Sequence, residues 1–164
     1  MKLLRISSFL LLAPIASCAL AQNARTTIQS KYDNLAKLSI KRDRKNLEKA
    51  MRTNVTSGFE FIDAFQNSLD IEATVRQNTE QIAKVVKFNS NTNKIIGIKQ
   101  VGKDLVCTVK SSYDALFASK QSKAHFQGVV ISEDTWTKTI LGWKMRRSKT
   151  VKETAMKNGQ PFKA

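Results

Sequence analysis

The chain has 164 residues, of which 41% are hydrophobic and 25% are charged, and this length and composition predict one globular domain with a single core. Lys and Arg number 28 against 13 Asp and Glu, so the formal net charge is +15 at pH 7. That excess favours contact with anionic partners and carries no information about the fold.

Residues 1–21 have the pattern of an export signal. Lys2 and Arg5 form a basic start, residues 6–13 are mostly apolar, and small residues follow. The apolar run is too short for a permanent membrane-spanning helix, which needs about 20 apolar residues. We therefore expect export from a bacterial cytoplasm to the periplasm or the medium, and one mature domain over residues 22–164.

Two cleavage patterns overlap in this segment. Ala19-Leu20-Ala21 before Gln22 fits ordinary signal peptidase, and Ile15-Ala16-Ser17-Cys18 resembles a bacterial lipobox, whose cysteine is lipidated. We favour ordinary cleavage and keep a lipoprotein anchored through Cys18 as the alternative. Either route leaves Cys107 as the one free thiol, so no disulfide forms within the mature chain, and we expect Cys107 to be a buried hydrophobe of a strand.

Three helices are predicted in the first half of the mature chain. Apolar residues recur at helical spacing over residues 24–40 and again over residues 70–87. Asp43 is placed to cap a shorter helix between them, an interpretation we prefer to a catalytic acid. A short strand is predicted over residues 53–62.

The pattern changes to strands in the second half. Residues 95–101 and 105–113 are predicted strands joined by a turn at Gly102. Residues 125–151 are predicted to form a hairpin of two strands with Ile140-Leu141-Gly142 between them, where Gly142 can adopt a positive φ. Helices followed by antiparallel strands indicate an α+β fold.

The closing hairpin and tail resemble a known family. The segments Asp134-Thr135-Trp136-Thr137-Lys138, Gly142-Trp143-Lys144-Met145 and Asn158-Gly159-Gln160-Pro161 are similar to those of SnoaL-like proteins in the nuclear transport factor 2-like superfamily. The resemblance implies a cone-shaped α+β barrel, with three N-terminal helices packed on a strongly curved antiparallel sheet. It also implies dimerisation through the exposed sheet face. The superfamily includes isomerases, dehydratases, cyclases and binding modules, so it fixes no reaction.

Several chemistries lack local sequence support. The chain has no Gly-rich phosphate loop, Gly-x-Ser-x-Gly, His-Glu-x-x-His or Cys-x-x-Cys motif. We therefore expect no cofactor and no metal. Nucleic acid is not an expected partner of an exported protein either.

The residues considered for a pocket are those that could move a proton, donate a hydrogen bond or stack on a ligand. Superfamily enzymes need a carboxylate or histidine base and a hydroxyl donor. Asp114, Asp134 and His125 are the candidate bases. The predicted pocket residues are Tyr32, Tyr113, His125, Trp143 and Arg147.

Two of these residues have competing structural interpretations. Trp143, like Trp136, is more typical of packing at the core edge than of ligand stacking. Arg147 has the strand parity of Trp143 and Met145, so it points toward the concave side if those two face the core. The alternative is a position past the core at the rim of the sheet, which we prefer.

Two functions remain open. The first is an exported, non-catalytic module that binds a small amphipathic ligand, apolar or anionic, or a partner protein in its cone. The second is a pocket enzyme of proton-transfer type, an isomerase, cyclase or dehydratase. Basic residues are dense over residues 41–52 and 144–152, and if these clusters are functional we expect an anionic membrane or cell-wall surface.

Overall fold

The computed structural model describes the backbone of residues 13–118 and 122–162, and the side chains of residues 22–118 and 122–162. Most of the predicted export signal and the side chain of Cys18 lie outside the described residues. No helix in the described ranges is long and apolar enough to cross a membrane.

Three helices precede most of the sheet, as the sequence predicts: α1 (Ala13–Lys41), α2 (Arg44–Asn54) and α3 (Ile71–Lys84). Asp43 caps α2, because its Oδ1 accepts a bond of 3.2 Å from the backbone N–H of Asn46. Asp70 caps α3 in the same way through the N–H of Ala73, at 2.8 Å. These carboxylates satisfy N–H groups that would otherwise have no partner in the first turn.

Seven strands form one sheet: β1 (Val55–Ile62), β2 (Ser68–Leu69), β3 (Val85–Val101), β4 (Asp104–Ala118), β5 (Lys123–Thr139), β6 (Gly142–Lys157) and β7 (Gln160–Phe162). Their order is β2-β1-β6-β5-β4-β3, with β7 paired to β6. The predicted α+β class, three helices on a curved sheet, is confirmed. The β1–β6 pair is parallel, so the sheet is mixed rather than wholly antiparallel.

Strand β3 begins earlier than the sequence indicates. It starts at Val85, directly after α3, whereas the polar residues 87–94 favoured a longer helix and a loop. These residues pair with residues 110–116 of β4, and this ladder overrides their weak strand propensity. Register shifts interrupt the β3–β4 ladder near Val85, Phe88 and Ile95, and such bulges bend a sheet.

The sheet has an inner and an outer face, which the cross-strand register defines. On β4 and β5 the inner face carries Leu105, Cys107 and Val109 opposite Trp136, Asp134 and Ser132. All six are buried. Ala24, Ile28 and Tyr32 of α1 join four of them and Ile95 in one hydrophobic cluster. The alternate strand positions form the outer face.

A bulge in β6 changes which residues reach the inner face. Met145 pairs with Trp136 and Arg147 pairs with Thr135, so Arg146 is an extra residue in β6. After Arg146 the alternation of inner and outer positions along β6 is reversed. Arg147 therefore lies on the outer face, and its two-residue spacing from Met145 does not turn it inward. The Arg147 side chain is 49% exposed, and its Nε lies 3.2 Å from Glu60 Oε2.

Candidate functional site

The most enclosed carboxylate of the inner face belongs to Asp134, a residue that is 3% exposed. The Tyr32 hydroxyl donates a short hydrogen bond to its Oδ2, and Ser148 Oγ donates to its Oδ1 at 2.7 Å. Ser132, two residues before Asp134 on β5, is a further polar neighbour of this carboxylate. Trp136 Nε1 donates to the Tyr32 oxygen at 3.1 Å. We call these five residues the Tyr32–Asp134 network.

Local structure brings the network together. Asp134 and Trp136 are two residues apart on β5 and therefore share a face. Tyr32 lies one helical turn after Ile28, on the side of α1 that packs on the sheet, and its ring meets Trp136 edge to face at 5.6 Å between centroids. Ser148 lies opposite Asp134 because of the bulge at Arg146.

Burial changes the acid–base properties of the pair. Desolvation raises the pKa of Asp134, and the bonds from Tyr32 and Ser148, with the neighbouring Ser132 hydroxyl, lower it in part. The pKa of Tyr32 is also raised, first by burial and then by the charge of Asp134. The phenol therefore keeps its proton at neutral pH and acts as a donor to the carboxylate.

Asp134 is part of a larger polar surface on the inner face. Asp134 pairs with Ser148 and Ser132 pairs with Thr150 across β5 and β6, and each of the four residues is at most 8% exposed. We call them the inner polar patch. Among the described residues, the Thr150 hydroxyl has no hydrogen-bond partner, although the residue is 6% exposed. Among the described residues, the fully buried side-chain atoms without a partner are Thr56 Oγ1 and Asp104 Oδ1, so the Thr150 oxygen keeps some exposure and is available to a ligand.

The inner face becomes more exposed beyond the patch. Val130, the next inner position of β5, is half-buried, and it lies opposite the exposed Glu153. Tyr113 is half-buried nearby, with its ring over Gly128, where an added Cβ would be 2.5 Å from the ring. Burial and Glu153 raise the pKa of Tyr113. Val130 and Tyr113 thus form an open, partly apolar side of the patch.

His125 lies on the outer face, away from this surface. Its Nε2 is 2.7 Å from Asp114 Oδ1, and Gln127 and Asn89 donate to the same carboxylate at 2.8 and 2.6 Å. Those bonds, that from His125 first, lower the pKa of Asp114 to about 2. His125 and Tyr32 therefore do not share a cavity.

The five predicted pocket residues occupy separate places. Tyr32 is in the network, Tyr113 is on the open side of the patch, and His125 and Arg147 are on the outer face. Trp143 is half-buried and packs against the core cluster, as its strand position favours. The patch members Ser132, Ser148 and Thr150 were missed. The inward direction of Ser148 and Thr150 depends on the bulge at Arg146, which has no sequence signal, whereas that of Ser132 follows from its spacing to Asp134 and Trp136 on β5.

Cys107, opposite Asp134, is fully buried, as the sequence predicts. Burial, followed by the charge of Asp134, raises the pKa of its thiol to about 12. A thiol with so high a pKa is a poor nucleophile at neutral pH. No group of three or more His, Cys, Asp or Glu side chains in the described ranges could hold a metal ion.

Two surface grooves lie along α1. One, of about 540 Å³, is between α1 and α2 and is lined by Lys31, Lys49 and Asn54 among others. The second, of about 320 Å³, is between α1 and β3. Neither is lined by Tyr32 or Asp134, so both are distinct from the inner polar patch.

No family model and no curated protein matches the chain. Solved structures do resemble it. A nuclear transport factor 2-like superfamily protein from Salmonella enterica has a TM-score of 0.59 at 14% identity, covering 79% of this chain and 91% of its own. A protein named as a candidate scytalone dehydratase from Novosphingobium aromaticivorans has a TM-score of 0.55 at 17% identity, covering 85% and 90%.

A nuclear transport factor 2-like protein from Cytophaga hutchinsonii adds a TM-score of 0.53 at 12% identity, covering 77% of this chain and 95% of its own. The chain therefore has the nuclear transport factor 2-like fold. At these identities the likeness concerns the fold, and the function has to be argued from the residues.

Proposed function

We propose that the protein is a non-catalytic module that binds a small amphipathic ligand in its cone, with the inner polar patch as the polar anchor. The observation that carries the proposal is the unpartnered and still accessible hydroxyl of Thr150, on the same inner face as the half-buried Val130 and Tyr113. A ligand that enters over Val130 and Tyr113 would place its apolar part on them. Its polar end would bond to Thr150.

The bonding within the network favours binding over catalysis. Both oxygens of Asp134 accept protein hydrogen bonds, and the Tyr32 oxygen donates to Asp134 while it accepts from Trp136. A general base has to lie within hydrogen-bond reach of the proton that it removes. The oxygens of Asp134 and Tyr32 are already engaged in hydrogen bonds with each other, with Ser148 and with Trp136. Following the predicted export signal, we place this binding activity outside the cytoplasm.

The test uses two neighbouring valines on opposite faces. Val130 is on the inner face and Val129 on the outer face, and both are half-buried. The probe is anilinonaphthalene sulfonate, an amphipathic anion that fluoresces in apolar sites. We expect Val130→Trp to abolish the fluorescence increase by filling the open side, and Val129→Trp to preserve it.

A second pair of variants tests the anchor. Thr150→Val keeps the shape and removes the hydroxyl, so probe affinity should fall, whereas Thr135→Val on the outer face should leave it unchanged. Losing one hydrogen bond of a buried site corresponds to about a fivefold to tenfold weaker Kd. Equal losses in both members of either pair would exclude the cone as the binding site.

The second candidate is a proton-transfer enzyme, which the contact between Tyr32 and Asp134 in a water-excluding site favours. The similar structure named as a candidate dehydratase is in keeping with it. Deuterium exchange at the α-carbon of cyclohexanone, followed by NMR, tests this chemistry. If the protein only binds the ketone, the rate of deuterium exchange should not exceed the rate in buffer. Exchange that Asp134→Asn and Tyr32→Phe abolish, and His125→Ala does not, would select the enzyme.

A further inference from the structure

The turn between β5 and β6 exposes two large apolar side chains. Ile140 is 101% exposed and Leu141 is 79% exposed. Turns of this kind normally carry polar residues and glycine, because both side chains remain in water. Folding gains nothing from leaving them there, so they are available for a contact outside the domain.

The β3–β4 turn lies at the same end of the sheet. Asp104 pairs with Thr137, so the turn at Lys103 is level with Lys138, and Ile140 and Leu141 extend beyond both. Val101 at this turn is 54% exposed. We call Val101, Lys103, Lys138, Ile140 and Leu141 the tip end.

The tip end carries positive charge that has no local counterion. Lys103 and Lys138 are exposed and form no ion pair with any described residue. The carboxylate of Asp104, the residue after Lys103, is already 2.9 Å from Arg146 Nη2. The apolar pair is therefore flanked by free cations, an arrangement that suits an anionic lipid surface.

Helix α1 runs toward the same end. Gln29 Nε2 donates to the carbonyl of Asn93 at 2.7 Å, and one turn earlier Arg25 Nη2 donates to that of Ile95 at 2.8 Å. Residues nearer the N-terminus of α1 therefore contact residues of β3 that are nearer Val101.

Both predicted mature N-termini lie in that direction. Gln22 is about 4.5 Å and Cys18 about 10 Å beyond Arg25 along the helix axis, at 1.5 Å per residue. A lipid anchor at Cys18, or a chain that has just left an export channel at Gln22, would therefore hold the tip end toward a membrane.

We propose that the tip end is a membrane-contact site, in which Ile140 and Leu141 insert into an anionic bilayer while Lys103 and Lys138 contact lipid phosphates. The apolar pair matches the acyl region and the lysines match the head groups, so one occupant accounts for both features. This proposal is independent of the ligand that the cone binds.

A local probe tests insertion without interference from the apolar residues of the export signal. In a full-length Cys18→Ala chain, an environment-sensitive nitrobenzoxadiazole group on Leu141→Cys should shift to the blue with phosphatidylglycerol vesicles, and spin-labelled lipid should quench it. The control is the same label on Phe65→Cys. Phe65 is 68% exposed in the turn after β1, which runs away from the tip end because β1 is parallel to β6.

Sedimentation with vesicles measures the energetic effect in the full-length chain. Ile140→Ser with Leu141→Ser should weaken partitioning about tenfold or more, and Phe65→Ser should not. Replacing Lys103 and Lys138 with Ala should lower the preference for phosphatidylglycerol over phosphatidylcholine. Equal shifts at positions 65 and 141 would overturn the proposal. A shift at position 141 that follows protein concentration without vesicles would instead identify a second copy as the occupant.

Discussion

Asp114 and Asp134 are carboxylates on neighbouring strands, and their environments push their pKa values in opposite directions. Asp114 is on the outer face, where bonds from His125, Gln127 and Asn89 lower its pKa to about 2. Asp134 is on the inner face, where burial raises its pKa. The charged form is favoured in the first environment and disfavoured in the second.

These shifts predict opposite pH dependences of stability. Asp114 has a folded-state pKa below its ordinary value of 3.8, so its stabilisation is complete above 3.8 and is lost as the pH falls through about 2. Asp114→Asn should therefore lower the free energy of unfolding most above pH 3.8, and the difference should vanish near pH 2. Urea denaturation at a series of pH values measures it.

Asp134→Asn supplies the comparison, since its sign is reversed. The raised folded-state pKa of Asp134 gives a contribution that is complete below 3.8 and is lost as the pH rises through the folded value. The difference in free energy of unfolding between Asp134→Asn and wild type should therefore change with pH in the opposite direction across the same series. Parallel curves for the two variants would contradict the assignment of faces.

The two tryptophans of the closing hairpin also differ. Trp136 is 0% exposed and bonds to Tyr32, whereas Trp143 is half-buried at the edge of the cluster. Trp136→Ala should cost about 3–5 kcal/mol, and Trp143→Ala should cost less because its site is already partly solvated. Urea denaturation of both variants measures this order. The reverse order would mean that Trp143, and not Trp136, closes the core.

At the scale of elements, local chemistry was predictable and distant pairing was not. The cap at Asp43 and the turn at Gly102 follow from a few adjacent residues, and the structure confirms both. The parallel β1–β6 pair joins segments that are far apart in sequence, and no local pattern specifies it. The bulge at Arg146 likewise exists only because β5 fixes the register of β6, and it decides where Ser148 and Arg147 point.

The β5–β6 hairpin gives a test of turn geometry. Gly142 has φ +93, a conformation that L side chains rarely adopt, so Gly142→Ala should lower the free energy of unfolding by about 1 kcal/mol or more. Gly58 is the control, since it has no positive φ and a Cβ there would meet no atom within 4 Å. Gly58→Ala should change stability little, and equal effects of both substitutions, measured by thermal denaturation, would contradict the strain argument.

At the scale of the whole molecule, the two dense groups of positive charge differ in how they are compensated. In the group on β6, Arg146 and Arg147 contact Asp104 and Glu60. In the group from the end of α1 through α2, Arg52 contacts Glu72. The bonds from Asn46, and then the charges of Lys41 and Lys45, lower the pKa of Asp43, whereas Arg44 and Lys49 are exposed and form no ion pair among the described residues. The sequence predicted both groups equally, because counterions from distant strands are not visible in it.

This difference predicts which cations bind an anionic polymer. With heparin as the probe at low salt, Arg44→Ala with Lys49→Ala removes two charges that form no ion pair with any described residue, and should weaken binding strongly. Arg146→Ala with Arg147→Ala should weaken it less, because their charges already face carboxylates. Binding should decline steeply as the screening length falls to about 10 Å at 0.1 M salt. Isothermal titration at several salt concentrations measures both effects, and equal losses from the two sets would mean that total charge, rather than free charge, directs the association.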